Sequence, residues 1–595
     1  MLRMGIFLRR TRKFAAGAAC CVVLAQIALG QGAGTGSVAQ PNAAQSLYAK
    51  GVGQLQGGDL GGARATFEKV VRLAPASAEA HNSLGWVLLN QGEVAGAMAQ
   101  LELAVRLKPE FAQARMNLAN ALLQSGRNSD ALREAHLAVK LAPEDSEASR
   151  TLARTEALSG EGVAAVQEFR RAIALEPQRA QLHDELGTVL VQQESLEEAA
   201  VEFAAAERFA PDALAPHLHL GVLRERQGKT ELAEPELREA LRIDPANAQA
   251  HYYLGRVWRA ENKTAEALAE FRAAVAAQGD FSEALNALGL LEQRAGDAHA
   301  AVAAFRKVVA LDGQSADAHN NLGLALLQVG DGNGAVKEFG EALRLRPDDS
   351  GYRKNLGVAY LQLTDFDAAL AQFTAALKTT PQDPTLHYDL GLALKLKDKL
   401  PEAVAEFHRA TEIDPEQADA HYTLGVTLWQ QGELGPAAEE LRAAVRARGD
   451  YAEAYYTLGT VLKQEGNLPE AATALREAIR LQPDFAGAHT TLAAVLRQLG
   501  DSAGASAESK AGADIARDKN NLQAAVFATN SGKRLMSTGD MEGALSQFHA
   551  ALEAKPDYAD AHYQLGLALR RTGDAEGAKR EFQEALRLDP TLKMP

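Results

Sequence analysis

Residues 78–111 read AEAHNSLGWVLLNQGEVAGAMAQLELAVRLKPEF. Apolar residues recur there at three- and four-residue spacing on both sides of Gly92, the period of two amphipathic helices joined by a glycine turn. Pro109 disfavours helical geometry in the residue before it, so it stops the second helix on schedule. Outward from this stretch the pattern repeats every 34 residues. Counted from Ala44, fourteen units run without slippage to Lys519; five extra residues, Asn520 to Ala524, follow, and two more units run from Ala525 to Leu592. Self-similarity of this period marks stacked supersecondary units, each of which buries its apolar face only against its neighbours.

Fixed offsets carry the packing. The eighth position is Gly or Ala, as in Gly85, Ala119, Gly187 and Gly221, and the twentieth is Ala, as in Ala97, Ala131, Ala165 and Ala199. Phe or Leu fills the twenty-fourth, including Phe67, Phe169, Phe271, Phe339 and Phe407, and Pro75, Pro143 and Pro347 close second helices. Small side chains let paired helices approach, and Gly126, Gly228 and Gly330 suit left-handed caps. These residues resemble the tetratricopeptide repeat. The resemblance implies an all-α fold, a right-handed α-solenoid of sixteen helix-turn-helix units with a groove suited to protein partners. In the unit Ala486 to Lys519, Ser509, Gly512 and Arg517 replace the large residue, the alanine and the proline, and a kink or hinge is expected there. It would separate an array over 44–519 from one over 525–592, with 520–524 as an insertion between them.

The N-terminus reads as a secretory signal over 1–30. Arg3, Arg9, Arg10, Arg12 and Lys13 precede the apolar run from Phe14 to Leu29, with a cut expected after Gly30. A run this short favours a cleaved leader over a spanning helix, the alternative being an uncleaved anchor. Residues 31–43 read as a flexible linker. The chain is therefore expected to be exported, periplasmic or secreted. Both cysteines, Cys20 and Cys21, lie in the leader, so the remaining chain has no thiol for a disulfide or a metal. Loss of the leader moves the formal charge from -15 to -20, which disfavours binding to nucleic acid.

No catalytic constellation emerges, and no metal or cofactor is expected. His81, His183, His217, His251, His319, His387, His421, His489 and His562 occupy the fourth position, but helices roughly 8–10 Å apart do not bring two such rings onto one zinc. Structural packing between repeats is the reading adopted. Gly500 to Gly504 spells GxSxG without the strand that hydrolases need before the serine, and Gly228, Lys229 and Thr230 lack the earlier glycine of a phosphate loop. Arg448–Asp450 and Asn262–Thr264 match an adhesion tripeptide and a glycosylation sequon and carry no weight.

In tetratricopeptide families the groove is lined by the second, fifth, sixth, ninth, twelfth and thirteenth positions of first helices. Here the fifth holds Tyr252, Tyr388, Tyr422 and Tyr456, with Trp429 at the twelfth and glutamines such as Gln430 and Gln464 at the thirteenth. Arg224, Arg226, Arg256, Arg259 and Arg294 cluster over three consecutive units, a candidate basic patch for an acidic segment or carboxylate. Salt bridges to Glu225 and Glu292 are the alternative. The second position carries acids such as Glu79, Asp317 and Asp419 where carboxylate-clamp repeats need lysine. The units also resemble the superhelix of O-linked N-acetylglucosamine transferases, yet only Asn117, Asn321, Asn355 and Asn530 match its asparagine ladder, and no glycosyltransferase domain is expected after the last repeat. The expected function is a non-enzymatic scaffold that binds protein or peptide segments. The alternatives are a part of an envelope secretion or exopolysaccharide export complex, or a subunit that recruits substrates to an enzyme.

Overall fold

The computed structural model describes residues 43–593. The leader and linker expected from the sequence lie outside the described residues, except Ala43, which opens the first helix. Among the described residues there are thirty-one helices and no strand. Sixteen pairs would make thirty-two; one fusion accounts for the difference.

The pair Ala78–Asn90 and Val94–Leu107 shows how a unit is built. Gly92 has φ 81°, and the Glu93 amide donates to the Leu88 carbonyl at 2.9 Å, so the backbone reverses through a left-handed residue that satisfies the last carbonyls of the first helix. The fifteenth position is left-handed in every unit. Glycine fills it in twelve, while Glu194, Asn262, Thr364 and Asp398 adopt φ of 60°, 60°, 59° and 59° in the others. Second helices end as the prolines require: Leu60–Leu73 stops two residues before Pro75, with Ala74 between them at φ -135°.

The helices of a pair touch through the eighth and twenty-fourth positions. A Cβ added to Gly391 would stand 2.6 Å from the Phe407 ring, and one on Gly187 equally close to Phe203. Phe67, Phe271, Phe339, Phe373 and Phe407 are wholly buried, as are the alanines of the twentieth position. Close approach excludes water from these rings, and each contributes about 2–3 kcal/mol by burial.

The chain divides into two compact units, the first ending at Asp297 and the second beginning at Ala298. The first holds fifteen helices, from Ala43–Gln56 to Ser282–Arg294, and the second sixteen, from Ala298–Leu311 to Ala575–Leu588. Within each unit, successive pairs share an apolar core; Phe407, for example, lies with Leu424 and Leu428 of the next pair.

The expected break near 520–524 is absent: a single helix of 36 residues runs from Ser502 to Ser537. Arg517 stands where a proline would forbid helix in the preceding residue, and no glycine or proline follows in the insertion, so nothing stops the helix. The fused helix leaves Leu522, Val526 and Phe527 exposed, Phe527 by 76%.

Candidate partner-binding face

The histidine column is a set of staples. In eight units the fourth-position ring has Nδ1 within 2.6–2.8 Å of a glutamate nineteen residues on. Its Nε2 lies 2.9–3.3 Å from a carbonyl six residues back, a proline's in seven of the eight. Each ring nitrogen thus faces an oxygen, a carboxylate on one side and a carbonyl on the other. His217 shows the balance: burial opposes the charge, yet the Glu236 carboxylate and the Pro211 carbonyl outweigh it and hold the imidazole above the usual histidine range. Each staple joins both helices of a pair to the loop that precedes them. Glu207, His217 and Glu236 place three possible ligand atoms within 4.8 Å of one another. There too both ring nitrogens are already committed, and burial, with Glu236 nearby, pushes the Glu207 carboxyl up.

First helices are tied to one another by a second rule. The fifth position of one unit bonds the sixth of the next: Tyr48 Oη to Ser83 Oγ at 3.0 Å, Asn82 Oδ1 from Asn117 Nδ2 at 2.8 Å, and Asn320 Oδ1 from Asn355 Nδ2 at 2.8 Å. Asp184 and His219 meet at 2.7 Å, and Arg150 grips Glu185 at 2.6 and 2.8 Å. The Asn117 and Asn355 amides therefore each spend one donor within the fold.

The five candidate arginines, all in the first unit, divide into two groups. Arg256 pairs with Glu225 at 2.9 Å and lies over the Tyr252 and Tyr253 rings, while Arg226 reaches Glu194 at 3.2 Å and Arg224 reaches Gln227 at 3.2 Å. Burial pushes the Glu225 carboxyl up against the pull of Arg256 and Arg259. Arg259 and Arg294 are exposed. Tyr252 is half-buried among Tyr253, Phe281 and Phe271, an aromatic cluster with ring centroids 5.1–6.0 Å from it. Glu292, the other acid named beside this patch, is buried and pairs with Arg272 at 3.1 Å.

In the second unit the fifth position presents Tyr388, Tyr422 and Tyr456 on successive first helices, each half-buried against an aromatic ring: Phe407, Tyr451 and Phe485 respectively. Two turns further along the same helix faces stand Lys395, Trp429 and Lys463, followed by Arg497 in the next repeat. Trp429 Nε1 donates to Gln464 Oε1 of the next helix at 2.7 Å, which fixes the twelfth and thirteenth positions side by side. Asp389, on the same face, is half-buried, and burial pushes its carboxyl up to about 6. Lys395, Lys463 and Arg497 were passed over in the sequence because their significance depends on what lies beside them in neighbouring repeats. Their signal is basic residues recurring at one position of successive first helices.

The chance motifs resolve into helix ends. Gly500 has φ 84°, and Asp501 caps the fused helix by accepting the Gly504 amide at 2.8 Å. Lys229 precedes the helix Thr230–Ile243, and Arg448 holds Asp419 at 2.7 and 3.1 Å.

Profiles described as tetratricopeptide repeat match residues 48–112, 91–155, 218–283, 286–350, 325–384 and 529–592, and one described as TPR repeat matches 394–432 and 459–500. The chain belongs to the tetratricopeptide-repeat family. No curated protein matches it. Among solved structures it is similar to the APC/C hetero-tetramer Cut9-Hcn1 (14% identity over 77% of this chain and 97% of that one, TM-score 0.35). It is also similar to yeast Tom70 (15% over 71% and 96%, TM-score 0.31) and to YrrB, a TPR protein with an unusual peptide-binding site (24% over 31% and 96%, TM-score 0.28). No helix among the described residues is long and apolar enough to cross a membrane.

Proposed function

We propose that this chain is a non-enzymatic scaffold that holds extended protein segments along the face built by its first helices, and that it does so after export. The family supports interaction with other proteins in general. The observation that carries the finer reading is the first-helix face within each compact unit: its polar side chains are oriented by bonds between repeats, as at Asn82–Asn117 in the first and at Asn320–Asn355 and Trp429–Gln464 in the second. Ordering costs are thereby met before a partner arrives. Tyrosine and tryptophan supply large contact area with few rotors to freeze.

Crosslinking mass spectrometry of the purified full chain in its native extract tests this. Crosslinks from partners to Lys354, Lys395 and Lys463, on first helices, are expected. Crosslinks confined to second-helix lysines such as Lys140, Lys307 and Lys378 would sink the reading. Export is tested separately by fractionation and N-terminal sequencing, with a start at Gln31 expected.

A further inference from the structure

Of the arginines that the sequence suggested as docking groups in the first unit, Arg226 and Arg256 pair with carboxylates, Arg224 meets an amide, and Arg259 and Arg294 are exposed. The twelfth column of the second unit gathers three cations on neighbouring first helices. Lys395, Lys463 and Arg497 have no hydrogen bond, ion pair or ring contact from their side chains to any described residue. In the same unit Lys397, Arg448, Lys533 and Lys555 are each paired with an aspartate. Lys395 is half-buried as well, and burial alone acts on its ammonium, holding it below the ordinary lysine range with no carboxylate to offset the loss of water. Three cations without such partners thus stand on one column of a chain whose formal charge is -15.

Between the first and second of these cations stands Trp429, turned by its bond to Gln464, and two turns away on the same faces stand Tyr388, Tyr422 and Tyr456. Adjacent helices lie about 8–10 Å apart, and an extended chain advances about 3.3 Å per residue, so one repeat answers to roughly three residues of a strand laid across the helices. The column then reads cation, indole, cation, cation at three-residue steps.

We propose that the strip Lys395, Trp429, Lys463 and Arg497 docks an extended acidic segment of a partner protein, with acidic residues opposite the three cations and an apolar side chain over Trp429. This rests on the scaffold reading and gives it a location and a partner chemistry. Charge complementarity sets the choice of occupant: a strip of uncompensated cations gains attraction from carboxylates, while the tyrosine row beside it gives the backbone and apolar groups a surface. Single-stranded nucleic acid, which also combines negative charge with stacking, is the competitor to be separated by experiment.

The test uses the purified full chain and a labelled dodecapeptide containing acid-x-x-leucine-x-x-acid-x-x-acid, together with its reversed sequence, the glutamine and asparagine isostere, and the lysine counterpart. Binding is read by anisotropy and by Trp429 fluorescence, with Trp429→Phe as the optical control. At least one direction of the acidic peptide is expected to bind, with affinity falling as salt rises, and the isostere at least tenfold more weakly. Lys463→Ala and Arg497→Ala, checked for unchanged helicity by circular dichroism, are each expected to weaken it about three- to tenfold. Lys463→Glu should weaken it more. Equal binding of acidic and neutral peptides, or no loss in these variants, overturns the proposal. So does an oligothymidylate that displaces the peptide at lower concentration than the unlabelled peptide does. Those outcomes leave the scaffold reading standing, because it is decided by where partner crosslinks fall.

Discussion

Ser149 and Glu168 occupy the two positions that histidine and glutamate join in eight other repeats, and here Ser149 Oγ and Glu168 Oε2 are both buried without a hydrogen-bond partner. The serine is too short to bridge the slot. Arg171 lies 3.9 Å from the Glu168 carboxylate, and it takes over the Pro143 carbonyl that a histidine would have met. Elsewhere other side chains fill the histidine position: Arg115 meets Glu134 in one repeat, while Tyr455 stands with Ala474 in another.

Ser149→His should therefore restore a staple. A hydrogen bond to the otherwise unsatisfied Glu168 Oε2, with a second to the Pro143 carbonyl that Arg171 already meets, is expected to stabilise this repeat by about 1 kcal/mol. Stability in a repeat array is local, so the measurement is hydrogen exchange of the helices Ser146–Leu158 and Gly162–Leu175. Unchanged or faster exchange in these two helices would count against the staple.

Glu156, on the same first helix, gives a pH dependence. Burial, then the nearby Glu168 and Glu161 carboxylates, push its carboxyl up to about 7. A carboxyl raised in the folded state favours folding while it stays protonated, so this contribution is lost as pH rises from about 4.5 toward 7. Glu156→Gln should be close to neutral at pH 4 and stabilising by about 1 kcal/mol at pH 8. Urea unfolding at the two pH values checks this; an equal effect at both would falsify the assignment.

Thr364 holds φ 59° at a turn where twelve units have glycine, and a β-branched residue is strained there. Thr364→Gly is expected to stabilise by about 1 kcal/mol, and Gly432→Ala, at φ 84°, to destabilise by a similar amount. Thermal unfolding of both variants reads the pair. Shifts of the same sign would show that the turn does not control stability.

Arg150 is a buried cation, 7% exposed, gripped by Glu185 and by Glu147 at 2.7 Å. Arg150→Ala leaves the Glu185 carboxylate without its cation, while Glu147 keeps Arg179, and should cost about 3 kcal/mol. Arg170→Ala, whose pair with Glu198 is exposed, should change stability by under about 1 kcal/mol. Denaturant titrations that returned similar values for both would remove the distinction drawn from burial.

The repeat, its caps and its tight helix pairs were legible because they depend on residues close in sequence: a glycine or its substitute at the turn, a proline after the second helix, a small residue facing Phe407 or Phe203. The histidine column was legible as packing but not as a staple, since Glu236 and the Pro211 carbonyl approach His217 from opposite sides in the sequence. The kink expected near 520 was read from lost consensus residues. The helix continued because losing a stop signal such as proline extends a helix rather than bending it. The cations without partners in the fold were the least legible. Arg256 and Lys463 look alike in a string, and only the presence of Glu225 beside the one and of no acid beside the other separates them.

The uninterrupted helix Ser502–Ser537 converts chain length into azimuth. Each residue of an α-helix turns its successor by about 100° and advances it about 1.5 Å, so the five residues 520–524 rotate whatever follows by roughly 140° beyond a full turn and displace it by about 7.5 Å. The final two helix pairs are thus aimed like the hand of a dial. Deleting one residue from this segment would swing them through about 100° while every contact inside them stayed the same. Insertions and deletions here act as angular settings, whereas in the glycine turns of the other repeats they would break the packing outright.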